Sequence, residues 1–440
     1  MSLDDLVTIN ISATTNTPSK PGFGTVLIAA QKVPVAFTTR VRTFGSVKEM
    51  TDFGFAVDDP AVLCATKIKA QNPTVTNFKV GKRLHKLVQT IELTCLDATE
   101  GHTYALNVAG HDISYTVLAS ATTTTVATAI AALIDALAEV AATSSTNKIT
   151  ITPQGGVAGV LFNVKGWSTN LQLRDKTVDP GGSTGLNDDL TAIFAEDKEW
   201  YGLALDSQSP AEIAVAALFV ESNKKIFSPN TSDYDCEDSV STTDIMYTLK
   251  QAAYARTGCL YSRAELLSYS GPAWMGKQFV AKPGSDTWAY KTLATVTVDT
   301  LTAGARTAIL NKNGNVYEQV SSINITEFGK SAAGEWFDIT RFIDWLAAEA
   351  QFRVFNTLAN NAKVAYTDDG VDLLLSQIDG ALEAGIDAGG LVKGTTSVTA
   401  PKVADIDPAT RNTRRLNGVK FGGRLAGAIH TLDIAGSLTT

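Results

Sequence analysis

The two ends of this 440-residue chain each carry a short alternation of apolar and polar residues with no neighbouring segment to pair with. The apolar positions are Val7, Ile9 and Ile11 near the start and Leu432, Ile434 and Leu438 near the finish. Alternation with a period of two predicts a half-buried β-strand. Such a strand either returns to its own sheet over a long connection or adds to the open sheet edge of another copy. The second arrangement makes a polymer, and it places function in the ends of the chain rather than in a pocket.

The composition indicates a globular protein of several domains. At about 150 residues per domain, the length suggests roughly three of them. Hydrophobic residues make up 44% of the chain and charged residues 19%, an ordinary balance for folded domains. The net charge of −8 argues against nucleic acid as the main partner.

The same sequence lacks the signals of membrane insertion and secretion. No run of about 20 apolar residues is present, so direct membrane insertion is not expected. The first residues include Asp4 and Asp5 and contain no basic residue before Lys20, unlike a secretory signal. We therefore expect assembly in a cytoplasm. Four widely spaced cysteines without a CxxC or His/Cys ligand pattern predict buried free thiols.

Local patterns predict a multidomain α/β (α+β) fold. Gly24 to Ala30 is an apolar strand, and Trp200 to Leu205 is another, followed by a helix from Ser209-Pro210 to about Asn223. The β-α-β-α-β order from there to residue 262 indicates a parallel or mixed sheet covered by helices. Ser46 and Glu49 have capping-box spacing for a short helix.

Residues 85–190 differ from the rest because threonine and alanine dominate and strands alternate cleanly. One helix there carries an apolar stripe from Val126 to Ala141. The stretch 179–185 reads as a flexible exit linker. We predict an inserted β-rich domain that interrupts a larger α/β domain, since insertions at surface loops cost little entropy.

The last hundred residues predict two helices and then strands. Asp338 is a plausible N-cap for the first helix, and a second apolar stripe through Phe352 and Phe355 predicts that this helix is buried on more than one side. The apolar parity slips by one residue between Ile429 and Leu432, which indicates a bulge or bend. We interpret that slip as the point where the chain becomes an arm. The predicted division is an N-terminal arm at 1–19, a discontinuous core at 20–84 plus 191–329, the inserted domain at 85–190, a C-terminal α/β domain at 330–426 and a C-terminal arm at 427–440.

Catalytic and binding motifs are weak. The turn Asp206 to Pro210 has no glycine, so a dinucleotide fingerprint is absent there. Gly181 to Gly185 matches GxSxG by letter but lacks the strand before it and the helix after it that a nucleophile elbow needs. His102 and His111 have no third metal ligand at a suitable spacing. The acidic run Asp233 to Asp238 reads as a solvated loop rather than a cation site.

The charge distribution is more informative. From Lys393 onward, seven basic residues against three acidic ones leave a local charge of +4 in a chain whose total is −8. This is either a solvated basic face or a docking surface for an acidic partner or for the acidic body of another copy. The candidate docking residues are Arg411, Arg414, Arg415 and Lys420.

Three stretches of this sequence resemble the contractile tail sheath proteins of bacteriophages and of related contractile injection particles. They are 43–54 with its continuation to Arg83, Trp336 to Trp345, and the run from Arg414 through Phe421 to His430. The likeness covers the chain except residues 85–190, a region that varies among sheaths and usually faces outward.

The resemblance implies a non-enzymatic structural subunit without a cofactor. Sheath subunits form stacked hexameric rings around a tail tube, and arms from neighbouring subunits, here about 4–16 and 427–438, add strands to the sheet of a third. The implied partners are further copies of the chain, the tail tube protein, and baseplate and tail terminator proteins, in a virion tail assembled in the bacterial cytoplasm. As a separate hypothesis that the resemblance does not itself imply, the basic residues Arg411, Arg414, Arg415 and Lys420 face an acidic surface of the tube. Hinges at 13–19 and around Gly422, Gly423 and Gly427 would let the bodies rotate during contraction. The alternatives are a non-contractile tail or baseplate component, or an α/β enzyme acting on a nucleotide or sugar.

Overall fold

The computed structural model describes residues 22–178 and 184–436. The predicted N-terminal arm with Val7, Ile9 and Ile11, the Gly181 to Ser183 part of the GxSxG match, and Leu438 lie outside these residues. The strands are β1 Val26–Ala30, β2 Val41–Phe44, β3 Phe78–Lys82, β4 Ile91–Cys95, β5 Thr103–Val108, β6 His111–Thr116, β7 Val140–Ser145, β8 Lys148–Pro153, β9 Val164–Lys165, β10 Leu171–Asp175, β11 Gly202–Leu205, β12 Ile226–Phe227, β13 Asn230–Thr231, β14 Leu260–Tyr261, β15 Tyr317–Val320, β16 Ile323–Thr326, β17 Ser397–Thr399 and β18 Lys420–Gly422. The helices are α1 Val47–Phe53, α2 Pro60–Lys69, α3 Thr123–Asp135, α4 Thr184–Glu196, α5 Pro210–Asn223, α6 Ile245–Gln251, α7 Ser270–Gln278, α8 Ala303–Asn311, α9 Phe337–Asn360, α10 Asp368–Asp387 and α11 Pro408–Asn412.

A five-stranded sheet of order β12-β11-β1-β3-β2 forms the centre of the body. Strand β1 pairs in parallel with β11 on one side and with β3 on the other, and only the edge strand β2 is antiparallel. All five residues of β1 are fully buried. Such a continuous apolar run is typical of a parallel strand covered on both faces. Helices α2 and α7 pack on one face and α4 and α5 on the other, so the α/β core predicted from the sequence is confirmed.

Local capping explains where several of these helices begin. The Ser46 hydroxyl accepts from the Glu49 backbone N–H at 3.2 Å, as the capping-box spacing predicted, although the Glu49 carboxylate bonds the N–H of Gly45. Helices α2 and α5 both start with proline at the first helical position, where its missing N–H costs nothing.

Between β3 and α4 the chain builds two antiparallel sheets, of order β10-β4-β8-β7 and β6-β5-β9, with α3 packed against both. The predicted helix running to Ala141 is too long: α3 ends at Asp135, and Ala141 lies in β7. After the undescribed residues 179–183, helix α4 begins at Thr184, so residues 184 and 185 belong to a helix rather than to a linker. The boundaries 85–190 for an inserted domain remain a prediction.

The C-terminal region consists of the packed helix pair α9 and α10 and the small β17–β18 sheet. Helix α9 begins at Phe337 with Trp336 as N-cap, so Asp338 lies in the first turn and the predicted cap is wrong. The second apolar stripe is only partly buried among the described residues, since Phe355 is 53% exposed. The four cysteines are free and buried, as predicted. None of the described helices combines the length and apolarity needed to cross a membrane.

Candidate assembly site

The C-terminal segment is fixed to the body beside the start of α9. Its first part bonds the loop after α10, where Val392 donates to the carbonyl of Arg424 at 2.8 Å and Ala426 donates to that of Gly390 at 3.0 Å. Further along, the His430 ring lies edge-on to Trp336 with ring centroids 4.6 Å apart. Gly422, Gly423 and Gly427, the glycines predicted as a hinge, therefore lie within or beside the residues that contact the body.

Two side chains from the loop after α7 also hydrogen-bond His430. Its Nε2 lies 2.9 Å from the Thr287 hydroxyl, and the Tyr290 hydroxyl donates to its backbone carbonyl at 2.5 Å. A cleft of about 370 Å³ opens next to it, between Trp336, Lys330 and the backbone from Gly427 to Thr431. Beyond Thr431, residues 432–436 form neither helix nor strand. Leu432 and Ile434 are 76% and 84% exposed, so the predicted C-terminal strand has no partner among the described residues and remains a prediction.

Arg341 connects α9 to the beginning of the described chain. Its buried guanidinium donates to the backbone carbonyls of Gln278 at 3.0 Å, Ala281 at 2.9 Å, and Phe279 and Phe23 at 3.3 Å each. Burial lowers the pKa of Arg341 to about 10. A buried charge is costly unless its donors are hydrogen-bonded. Here backbone oxygens accept from both terminal nitrogens of the guanidinium, while its Nε has no hydrogen-bond partner among the described residues. The result is a fixed point that holds Phe23, just after the predicted N-terminal arm.

One turn further along α9, Asp344 makes the second connection. It receives a 2.7 Å hydrogen bond from the Tyr201 hydroxyl, and the Arg256 guanidinium binds both of its carboxylate oxygens. Burial, together with the Asp344 charge, holds the pKa of Tyr201 well above its ordinary value. The Tyr201 ring in turn packs on Phe23 with centroids 4.7 Å apart. Phe23 is therefore tied to α9 through both its carbonyl and its ring.

The C-terminal region has a small interior for its length. The cluster of buried apolar residues assigned to it has five members, while exposed large apolar side chains are frequent. The buried cluster is Phe342, Leu346, Ala381, Leu382 and Leu391. The exposed apolar side chains are Ile343, Phe355, Leu358, Leu373, Phe421, Leu425, Ile429, Leu432 and Ile434. Monomeric proteins rarely expose so much apolar surface in one region, and such surface marks an interaction site.

The β17–β18 sheet is the second incomplete element. Its strands pair antiparallel over three positions, from Ser397 opposite Gly422 to Thr399 opposite Lys420. Within the described part of the chain this sheet has two strands, so each strand keeps one edge without a partner strand. An isolated two-stranded sheet is marginal in water and becomes stable when further strands or a helix cover it. Helix α10 contacts β17, and each of the two strands has one edge without a partner strand among the described residues.

The four basic candidate residues lie between α11 and β18. Arg411 is in α11 and half-buried, Arg414 and Arg415 follow it on an exposed turn, and Lys420 opens β18. Arg414 has a positive φ of 57°, a backbone conformation that marks a tight turn. None of the four forms a salt bridge with any residue the structure describes. Whether they face a partner remains a prediction.

α/β enzymes usually bind ligands at the carboxyl ends of their parallel strands. In this protein, buried charged side chains occupy that position. Arg83, just after β3, lies buried between Asp206, just after β11, and Glu212 of α5. Burial raises the pKa of Asp206 to about 6, although the Arg83 charge opposes this shift. Because the crevice at the carboxyl ends of parallel strands is the usual ligand site of such sheets, an internal ion cluster at this position disfavours a nucleotide site.

The other groups considered for chemistry have structural partners. Asp235 pairs with Arg174 at 2.7 Å, and Glu237 pairs with Arg263 at 3.0 Å. His102 contacts the Asn170 amide, whereas His111 pairs with Glu139 at 3.3 Å, so the two histidines have different partners. No group of three or more His, Cys, Asp or Glu side chains within residues 22–178 and 184–436 is arranged to hold a metal ion.

Sequence reasoning did not identify Trp336, Arg341 or His430 as an anchor. All three lie within the stretches that resemble the sheath family, but nothing in those stretches predicts an anchor. The available signal was an arginine and an aspartate one turn apart at Arg341 and Asp344, on the apolar side of a helix. Charged residues on a buried face are rarely unpaired, so they indicate a specific partner.

Comparison with known proteins agrees with the resemblance seen in the sequence. Residues 337–438 match the family model described as E217 tail sheath protein gp31-like, C-terminal domain. No curated protein matches the chain significantly.

Solved structures are similar over nearly the whole length. The chain is similar to a chain of the anti-feeding prophage (AFP) helical sheath in the contracted state, with 11% identity, a TM-score of 0.55 and 98% of each chain covered. It is also similar to a chain of the AFP baseplate, with 10% identity, a TM-score of 0.56, and 99% of this chain and 98% of that one covered. A third similar chain is from the contracted PVC sheath complex of an extracellular contractile injection system, with 10% identity, a TM-score of 0.50, and 97% and 96% covered. Residues 337–438 thus match the C-terminal domain of a tail sheath family, and the chain as a whole has the fold of these sheath and baseplate chains.

Proposed function

We propose that this chain is the structural subunit of a contractile tail sheath, which polymerises by exchanging terminal strands between copies and needs no catalytic residue. The observation that carries the proposal is the incomplete C-terminal region, which has a buried apolar cluster of five residues, an exposed apolar tail and a two-stranded sheet with open edges. A region of this kind becomes stable when other copies complete it.

The energetics favour a mesh of many weak contacts. Each backbone hydrogen bond of an added strand contributes about 0.5–1.5 kcal/mol net. Burying apolar side chains such as Leu432 and Ile434 adds about 1.5–3 kcal/mol for each one fully covered. Several such contacts on two arms per subunit hold neighbours together while the bodies reorient. Contraction is then a shift from a trapped extended arrangement to a better-packed one, driven by energy stored during assembly.

The proposal also specifies which other proteins the chain contacts. The chain forms hexameric rings stacked around a tail tube, and baseplate and terminator proteins close the two ends of a tail particle assembled in the bacterial cytoplasm. The exposed residues Arg414, Arg415 and Lys420 meet an acidic surface of the tube. Charge complementarity of this kind guides docking and register more than it adds affinity.

Electron microscopy of the purified chain tests the main proposal. We expect tubes or stacked rings from the full chain, and a folded, soluble monomer from chains lacking residues 1–16 or 428–440. A truncated chain that still polymerises normally would show that the arms do not join the subunits. A full chain that remains a monomer, or forms single rings without stacking, would favour a baseplate component instead.

The proposed tube contact has a separate test. The double variant Arg414→Glu with Arg415→Glu should lower the yield of sheath assembled on tubes while leaving the melting temperature unchanged, because both side chains lie on an exposed turn. The variant Lys48→Glu on α1 serves as a control for a general charge effect, since Lys48 lies in the α/β core far along the chain from the basic residues. An unchanged sheath-on-tube yield in the double variant would reject this contact.

A further inference from the structure

Both arms are rooted on the same short piece of α9, which we call the anchor segment, residues 336–344. His430, at the base of the predicted C-terminal arm, contacts Trp336, the first residue of the anchor segment, through their rings. Phe23, which follows the predicted N-terminal arm, contacts later residues of the anchor segment. Its carbonyl accepts from Arg341, and its ring packs on Tyr201, whose hydroxyl donates to Asp344. At about 1.5 Å of rise per residue, Trp336 and Arg341 lie only about 8 Å apart along the helix axis.

The anchor segment itself is held firmly in the core. Phe337 is fully buried, with its ring centroid 4.9 Å from that of Trp288 and 6.2 Å from that of Trp274. The backbone of Phe337 also donates to the carbonyl of Gly329. A movement of this segment requires repacking of a close-packed aromatic cluster, so its position is set as a unit rather than residue by residue.

We propose that the anchor segment is the common attachment point of both arms and couples them energetically. The inference deepens the proposed function and rests on it for its biological meaning. Each copy then transmits a displacement from the neighbour that holds one arm to the neighbour that holds the other through nine residues of one helix. Trp336, Arg341 and Asp344 are the positioning residues of this connection.

The coupling can be measured on the unassembled full chain by hydrogen–deuterium exchange. His430→Ala removes the contact with Trp336 from a partly exposed site, so the fold should be retained. We expect exchange of the amides in residues 22–26 to rise at least about threefold, while residues 257–262 are unchanged. Unchanged exchange in residues 22–26 would overturn the inference, whether or not the chain assembles into a sheath.

The reciprocal variant has a matched control in the same chain. Tyr201→Phe removes the hydrogen bond to Asp344 and keeps the ring, and it should raise exchange in residues 424–431 because coupling between two sites is reciprocal. Tyr261→Phe removes an equally buried tyrosine hydroxyl from Glu237, a residue outside the anchor segment, and should leave residues 424–431 unchanged. Equal effects of the two variants would show general loosening and contradict a specific anchor. If Tyr201→Phe fails to fold, the His430→Ala result decides.

If the full chain forms sheaths, a double-mutant cycle extends the test to assembly. Separate sites contribute independently, whereas sites that share an anchor do not. The combined effect of Tyr201→Phe and His430→Ala on the critical concentration should differ from the product of the single effects by about threefold or more. For the pair Tyr261→Phe and His430→Ala, the effect of the double variant on the critical concentration should equal the product of the two single effects. Multiplicative behaviour of the first pair would overturn the inference and leave the sheath proposal standing.

Discussion

The α/β core and the C-terminal region use apolar residues in opposite ways. The core buries its largest side chains completely, including Trp200, Trp274 and Trp288, whereas the C-terminal region leaves Phe355, Leu432 and many others in contact with water. A body that is stable alone and a region that is incomplete alone are what a polymerising subunit requires. Under the proposed function, the core provides stability and the C-terminal region provides assembly, so mutations should change the two separately.

The largest expected effect separates the two regions directly. Trp274→Ala should lower the free energy of unfolding by about 3–5 kcal/mol, because it empties a fully buried site next to Trp288 and Phe337. Phe355→Ala, at a half-exposed site, should change it by less than about 1 kcal/mol and should weaken assembly instead. Urea unfolding of the unassembled protein and sedimentation of assemblies measure the two effects. Equal losses of stability would break the comparison.

The pH dependence of stability should arise mainly from four buried carboxyls that lie outside the C-terminal region. Burial raises the pKa of Asp299 to about 7, and those of Asp175, Asp206 and Asp233 to about 6. These carboxyls keep their protons in the folded state at pH values where the unfolded chain has already released them. The contribution of these groups to the free energy of unfolding is therefore greatest below their ordinary pKa of 3.8. It decreases as pH rises through 6 to 7, by up to about 1.4 kcal/mol per pH unit for each group.

Thermal melts of the unassembled chain test this sign. The melting temperature should be several degrees lower at pH 8 than at pH 5.5. Asp299→Asn should flatten the curve between pH 6 and 7.5, because the side chain then no longer titrates while its oxygen still accepts from the Arg263 and Ala264 amides. A melting temperature that rises with pH, or a slope that Asp299→Asn leaves unaltered, would contradict the assignment.

Removing one helix cap in each region should have a smaller effect on stability, and the two substitutions are chemically the same. Thr302 caps α8 of the core by accepting from the Ala305 amide at 3.2 Å, and Thr367 caps α10 by accepting from the Gly370 amide at 3.3 Å. Substituting either threonine by alanine should cost about 1 kcal/mol of local helix stability. We expect Thr302→Ala to lower the main unfolding transition, and Thr367→Ala to change mainly hydrogen exchange within α10. The same shift of the main transition in both variants would show that the two regions unfold together.

The sequence predicted the core well because its signals are local. The apolar run of β1 and the Pro210 start of α5 specify their elements without distant partners, and α5 ends at Asn223 as predicted. The predicted extension of α3 to Ala141 failed because residues 136–141 suit a helix locally, whereas pairing of β7 with β8 decides their structure.

The candidate site was less predictable because its contacts join distant parts of the chain. Arg341 and Phe23 are 318 positions apart, and Thr287 and His430 are 143 apart. No spacing rule connects such residues. The unpaired terminal alternation at Leu432 and Ile434 could be read from sequence, but the anchor that positions it could not. The prediction for helix α9 failed for a related reason, since Phe355 in its second apolar stripe is 53% exposed in the described structure.

The exposed tail offers the most direct test of the account, since a change there should affect assembly alone. The double variant Leu432→Asp with Ile434→Asp should keep the melting temperature of the unassembled chain within about one degree, because both side chains are already in water. In the same preparation, sedimentation and negative-stain images should show tubes for the unaltered chain and monomers for the variant. A variant that forms tubes as readily as the unaltered chain would contradict the claim that the C-terminal tail joins one copy to the next.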